Sequence, residues 1–325
     1  MQVVVCREFG PLDDLVIDDQ VVPECGDGQV RIAVGAAGVN FVDGLLAQGQ
    51  YQLKPPVPYT PGSEIAGTVS AVGAGVEGFA IGQRVFASTG LTGGFAAEVV
   101  VSALAVHHTP NAMTDGQAAS FTQSYMTARF ALDRRAGAHA GQQLLVLGAG
   151  GGIGLAAVDV GRSMGLRVIA AASTDEKRQR ATDLGAAAVV DSRDADLKNA
   201  VRAASDGGVD LAYDPVGGAA SEQALRALTD DGQLLILGFA AGEIPRLPAN
   251  QILLRNRRVT GVDWGGWTVT NPLDNRALLE DVISQIANGE LHPTEPTARP
   301  LTEAAAALRD QVDGRVAGKT VLVPG

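Results

Sequence analysis

Residues 148–154 read GAGGGIG, five glycines within seven positions. They follow an apolar run, QLLVL (143–147), and lead into a helix-like stretch, LAAVDVGRSMG (155–165). A simple turn needs one glycine at most. A run like this between strand and helix suits a backbone that must bend tightly, approach an anion closely and pack against its own strand. Small residues at Ala149, Gly151 and Gly154 fit the G/A-x-G-x-x-G dinucleotide pattern. The amides at the opening of the helix, with its positive dipole end, supply the anion site. The cradle therefore comprises Ala149, Gly150, Gly151, Gly152, Ile153 and Gly154.

The surroundings of the loop decide what that motif is worth. Strand-like runs at 143–149, 166–172, 187–191, 209–214 and 232–239 alternate with helix-like segments at 155–164, 175–184, 195–204 and 220–228. Near-continuous apolar strands, each followed by a helix, predict a parallel sheet covered on both faces. A further helix is expected over 278–291. The first hundred or so residues have a different texture. Runs at 29–40, 63–73 and 94–102 alternate at short range between glycine turns, predicting an all-β, barrel-like module. The tail, KTVLVP (319–324), is a short strand expected to return to that module.

An NAD-preferring site carries an acidic residue about 20 positions on, at the end of the second strand. Here that strand ends IAAASTDEKRQR, with Ala171, Ala172 and Ser173 where the acid belongs. Ser173 and Lys177, with Arg178 beside them, are candidates for a 2′-phosphate, which predicts NADPH as cofactor. Ser173-x-x-Glu176 also reads as a capping box.

The formal net charge of −11 argues against nucleic acid as a partner. Cys6 and Cys25 are the only cysteines and form no CxxC, which excludes a disulfide framework and a thiolate zinc site. His107, His108, His139 and His292 show no ligand spacing; packing or solvent roles are expected. The opening MQVVVCREFG reads as a strand rather than a signal peptide, and no apolar run reaches the ~18–20 residues that span a bilayer. A cytoplasmic protein without membrane partners is the expectation.

Taken in order, several blocks resemble one family. GVNFVDGLLAQGQY (38–51), PGSEIAGTVSAVGAGVEGFAIGQRV (61–85), SYMTARFAL (124–132), the glycine loop with its flanks (141–162), YDPVGG (213–218), LGF (237–239) and GKTVLVP (318–324) are similar to the zinc-free quinone oxidoreductase branch of the medium-chain dehydrogenase/reductase superfamily, which includes zeta-crystallin. The resemblance spans nearly the whole chain. Departures are Asp159, where the family usually has Gln, and Leu45, where several quinone reductases carry Tyr.

The resemblance implies an α/β chain: a GroES-like β-barrel catalytic domain at 1–115 and 285–325, and a doubly wound parallel-sheet Rossmann domain for NADP at 116–284. It implies that Asn40 and Thr127 lie near the nicotinamide and that Val216, Gly238 and Phe239 meet the cofactor at strand ends. Lys319 would reach it from the tail. Asn40, Tyr51 and Trp264, with Trp267 nearby, would line the pocket for a small planar conjugated substrate. An edge strand at 257–262 would pair with its mate in a homodimer. Zinc alcohol dehydrogenases have Cys and His where this chain has Asn40 and Ser63, so no metal is expected. Without that electrophile, alcohol oxidation is disfavoured and hydride transfer to quinones or related conjugated carbonyls is the natural chemistry. No replacement electrophile is visible in the sequence and no proton donor is assigned, Tyr51 and solvent both being possible. Two alternatives stand: a 2-enoyl thioester (acyl-CoA) reductase, and a non-catalytic NADPH-binding protein.

Overall fold

The computed structural model describes all residues from Met1 to Gly325. The chain divides into two compact units, Met1–Thr122 with Pro293–Gly325, and Gln123–His292.

The first unit is built on strands. β1 (Gln2–Val5) pairs with β2 (Val16–Asp19). β3 (Gln29–Val39), β4 (Glu64–Val72), β5 (Arg84–Ser88), β6 (Glu98–Ser102) and β7 (Val106–His108) are mostly antiparallel neighbours. Along β3 the first residues alternate half-buried and buried, as one-sided strands do. Two glycines permit close approaches here, one between strands and one to the Asp115 side chain. A Cβ on Gly67 would come within 2.0 Å of the Ala33 carbonyl oxygen, and one on Gly35 within 2.9 Å of Asp115 Oδ2. Helices α1 (Phe41–Ala47) and α2 (Asp115–Ala118) follow β3 and β7. The C-terminal segment of the chain closes this unit. Its two strands, β14 (Thr297–Pro300) and β15 (Thr320–Val323), extend the sheet, with β15 antiparallel to β3. Between them α11 (Ala304–Val312) packs on α1. The core gathers Val4, Ile32, Ile65, Phe95 and Leu308.

The second unit is a six-stranded sheet, parallel throughout. In chain order its strands are β8 (Gln143–Val146), β9 (Arg167–Ala172), β10 (Ala188–Asp191), β11 (Val209–Asp214), β12 (Leu228–Ile236) and β13 (Arg258–Gly261). In space they run third, second, first, fourth, fifth, sixth. This is the doubly wound order, and the direction of winding reverses between β8 and β11. The helices are α3 (Thr122–Arg129), α4 (Gly152–Ser163), α5 (Asp175–Asp183), α6 (Leu197–Ala204), α7 (Gly218–Ala227), α8 (Ala249–Leu253), α9 (Trp264–Thr270) and α10 (Pro272–Ala287). Leu145, Ile169, Leu225 and Leu234 lie in its core. No helix of the chain is long and apolar enough to cross a membrane.

Several boundaries differ from the sequence reading. The helix after the glycine loop begins at Gly152 rather than 155. The fifth parallel strand begins at Leu228, four residues early, because an irregular pairing with β11 accommodates Asp231 at φ +61°. The cap of α5 is Thr174, whose side chain accepts from the Lys177 amide at 3.3 Å. Ser173 is therefore not the capping residue.

Candidate functional site

The glycine loop leaves the C-terminal end of β8, at the point where the winding reverses, which is where open α/β sheets hold ligands. Each glycine there has its own reason. A Cβ on Gly154 would lie 2.2 Å from the Gly148 oxygen and 2.7 Å from Ala149 Cα, so only glycine lets helix and loop approach. Gly148 has φ +62° and faces Val216, whose Cγ2 would be 3.2 Å from an added Cβ. Gly151 is different. Its Cβ would find nothing nearer than 3.7 Å, so its bareness serves no internal contact. It caps α4, and no side chain bonds the amides of that first turn. A free N-terminal turn beside an open glycine is an anion cradle that a Cβ would fill, and it fits the pyrophosphate of a dinucleotide.

Lys177 reaches this loop. A Cβ on Gly150 would fall 2.3 Å from Lys177 Cβ and 2.5 Å from its Cγ, so the lysine stem lies against the glycine backbone. Burial lowers the pKa of the Lys177 ammonium. Ser173, half-buried, directly follows the last residue of the neighbouring strand β9. Arg178 is committed elsewhere: it donates to the Ala172 carbonyl at 2.9 Å and pairs with Asp175 and Asp191. Ser173 and Lys177 stay near the loop, whereas Arg178 holds the start of α5 in place.

Val216 is fixed by a residue the sequence reading passed over. Buried Asp214 accepts from the Val216 amide at 2.8 Å, the Gly217 amide at 2.9 Å and the Ser221 hydroxyl. Gly238 and Phe239 follow β12; Phe239 is 39% exposed and its Cα would lie 3.1 Å from a Cβ on Gly217. Val216, Gly217, Gly238 and Phe239 are thus one group of turns beside the glycine loop. Thr127 is half-buried on α3. Trp264 and Trp267 open α9. The Trp264 indole donates to Asn275 at 3.0 Å, and Trp267 packs on Phe130 with ring centres 4.8 Å apart. Both are half-buried packing elements of the second unit.

The first unit holds a buried polar cluster at the end of β3. The Asn40 amide nitrogen Nδ2 donates to Glu64 Oε1 at 2.9 Å and Ser63 Oγ at 3.3 Å. Its backbone N–H donates to Asp43 Oδ2 at 2.8 Å. The Lys319 ammonium donates to Asn40 Oδ1 at 2.5 Å and Glu64 Oε1 at 3.2 Å. All five side chains are at most 8% exposed. Burial drives the Asp43 carboxyl up to about 7, and the neighbouring Glu64 charge adds to the rise. Asn40 and Lys319 were expected near one site, and here they touch; Asp43 and Glu64 were not singled out. Tyr51 is half-buried in an irregular segment beyond α1. His107 stacks on Phe86 and His108 tilts against Phe79, so both pack rather than ligate. Nowhere do three His, Cys, Asp or Glu side chains gather as a metal ion would need.

Residues 26–111 match the family described as the alcohol dehydrogenase GroES-like domain, and residues 152–281 match the zinc-binding dehydrogenase family. The second stretch contains neither Asn40 nor Ser63. A quinone oxidoreductase-like protein 2 homolog of Nematostella vectensis is 37% identical over 291 residues, 89% of this chain and 79% of that protein. The quinone oxidoreductase of Rattus norvegicus is 31% identical over 327 residues, covering 99% and 98%. The solved structure of Escherichia coli quinone oxidoreductase complexed with NADPH superposes with a TM-score of 0.88 at 25% identity, covering 100% of both chains.

Proposed function

The chain belongs to the quinone oxidoreductase branch of the medium-chain dehydrogenase/reductase superfamily, a family of oxidoreductases, and from that premise we propose that it uses NADPH to reduce quinones or related conjugated carbonyls. The observation that carries the reading is the Lys177 stem lying on Gly150 beside an uncapped helix start, with no acid at the end of β9. The first turn of α4 holds the pyrophosphate. Ser173 and Lys177 take the 2′-phosphate, and an alanine pair at 171–172 leaves room where an acid would repel it. In the second unit Thr127, Val216, Gly238 and Phe239 are the further cofactor residues of this reading and Trp264 a substrate residue; in the first unit Asn40 serves the nicotinamide end and, with Tyr51, the acceptor. Bound there, the reduced nicotinamide supplies a hydride. The chain's own task is to align the reactants, which can be worth about 7–11 kcal/mol in favourable cases.

The Asn40 and Ser63 positions offer no thiolate or imidazole, so the reading requires no metal. The protein works as a homodimer through β13, and its two unpaired cysteines suit a reducing cytoplasm.

Two measurements test this. NADPH and NADH affinities are titrated for the wild type and Lys177→Ala. The variant is expected to lose NADPH binding at least about tenfold more than NADH binding, as loss of one charged phosphate contact implies. Equal losses refute the assignment. NADPH oxidation is then followed with phenanthrenequinone, a conjugated enone and a 2-enoyl-CoA thioester. Turnover of the first two over the third is expected. A preference for the thioester favours acyl-CoA reduction, and tight NADPH binding without turnover favours a non-catalytic role.

A further inference from the structure

A carbonyl acceptor needs something positive facing its oxygen as it is reduced, and the sequence alone shows no such group. The folded chain has one. β15 runs antiparallel to β3 with Thr320 opposite Val39, and this register delivers Lys319 to Asn40, 279 residues earlier. Lys319 is only 7% exposed, and its ammonium donates to Asn40 Oδ1 and Glu64 Oε1. An ammonium has three N–H donors, so one is left over. Its neighbours are arranged to hold it. Asn40 Nδ2 donates to Glu64 and Ser63, which turns Asn40 Oδ1 toward Lys319. Glu64 Oε1 accepts from both Asn40 and Lys319. The titratable neighbours are Glu64 and Asp43. A buried cation that keeps a donor unused is costly unless a ligand completes it.

We propose that Lys319 is the electrophile of this site: its free N–H donates to the carbonyl oxygen of the acceptor and stabilises the negative charge that develops there. This rests on the reductase reading above. The acceptor gains a hydride, two electrons and one hydrogen nucleus, from the reduced pyridine nucleotide, and the displaced π-electron pair comes to rest on the oxygen. No N–H bond of Lys319 breaks in this step, and water supplies the proton that completes the product. A cation fixed in advance where charge will appear needs no reorganisation during reaction, and the low-dielectric surroundings strengthen it.

The probe is para-nitrophenol, a planar conjugated phenol whose anion has its own visible absorption band. Added to the full-length protein without nucleotide, it should ionise at a lower pH than in buffer. Lys319→Met should abolish that shift, Lys319→Arg should keep part of it, and Glu64→Gln, which removes the opposing charge, should enlarge it. If Lys319→Met does not fold, Lys319→Arg decides, because a shift that does not depend on this side chain would be unchanged in it. With nucleotide present, Lys319→Met should slow reduction of a weakly electrophilic enone about 100-fold, the usual loss for one oxyanion donor. A strongly oxidising ortho-quinone should suffer much less. NADPH affinity, read from nucleotide fluorescence, should stay within about threefold, well under the tenfold that 1.4 kcal/mol would represent. An unshifted probe in the wild type, a shift that survives Lys319→Met, or equal losses on both acceptors overturns the inference. A wild type that shifts the probe yet reduces no acceptor supports Lys319 as an oxyanion donor and overturns the reductase reading instead.

Discussion

Gly151 and Gly154 sit three residues apart in one motif, yet they answer to different constraints. Gly154 is pressed against the backbone of Gly148 and Ala149, which cannot yield as a flexible side chain could. Gly154→Ala should therefore cost about 1–3 kcal/mol of stability through overpacking, seen as a lowered urea midpoint, before any ligand is considered. Gly151 has an ordinary extended conformation, φ −96° and ψ 169°, and open space where a Cβ would go. Gly151→Ala should leave the midpoint nearly unchanged and weaken NADPH binding. If Gly151→Ala binds NADPH as the wild type does, the loop is not a phosphate cradle.

Asp43 makes a second residue-scale prediction. Its carboxyl ordinarily titrates near 3.8, and burial raises it to about 7 in the folded chain. The native state thus holds the proton more tightly than the unfolded chain does. The contribution is fully present below about pH 4 and is lost as pH rises toward 7, on the order of 4 kcal/mol at its limit. Asp43→Asn can still accept from the Asn40 amide but does not titrate. Its urea midpoint should fall less steeply than that of the wild type across this window; parallel profiles would show that Asp43 is not strained by ionisation.

At the scale of elements, α5 separates two roles that the sequence pattern assigns to one serine. Thr174 caps the helix, and Ser173 stands between that cap and the strand, which ends at Ala172. Thr174→Ala should cost about 1 kcal/mol in thermal or urea unfolding with little effect on cofactor preference. Ser173→Ala should spare stability and narrow the preference for NADPH over NADH. The reverse pattern would restore Ser173 as the cap. This one-residue slip is typical of what the chain does and does not disclose. The alternation of apolar strands and helices from residue 143 onward is a local signal, and it led to the doubly wound sheet and to β8, the glycine loop and α4 in sequence. Boundaries slipped where the deciding interaction lies outside the segment. The start of α4 depends on the loop it caps, and the start of β12 on an irregular pairing with β11. The Asn40–Lys319 contact is the limiting case. No spacing rule links positions 279 apart; only the register of β15 on β3 does. Glu64 and Asp43 lie within the family-like segments 61–85 and 38–51, but a buried carboxylate looks like any other until its partners are known. His107 and His108 were legible because adjacent residues on a strand face opposite ways.

For the molecule as a whole, the unfinished element is β13. It forms the outer edge of the parallel sheet, so one of its sides carries N–H and C=O groups with no strand beside them. An exposed apolar side chain accompanies it: Val259 on the strand is 39% exposed. A two-fold axis through that edge would set β13 antiparallel to its own mate, joining two sheets and bringing Val259 of each copy to the seam. The chain's charge of −11 opposes association at long range, so added salt should strengthen the pairing rather than weaken it. Light scattering should give twice the chain mass of 33.3 kDa. Val259→Glu places a carboxylate from each copy in the shared edge, where like charges repel. It should shift the species to the single-chain mass without altering the far-UV spectrum or NADPH affinity. A variant that stays paired, or a wild type that is already single at micromolar concentration, would mean that this edge meets solvent, and the exposed Val259 on it would then need another explanation.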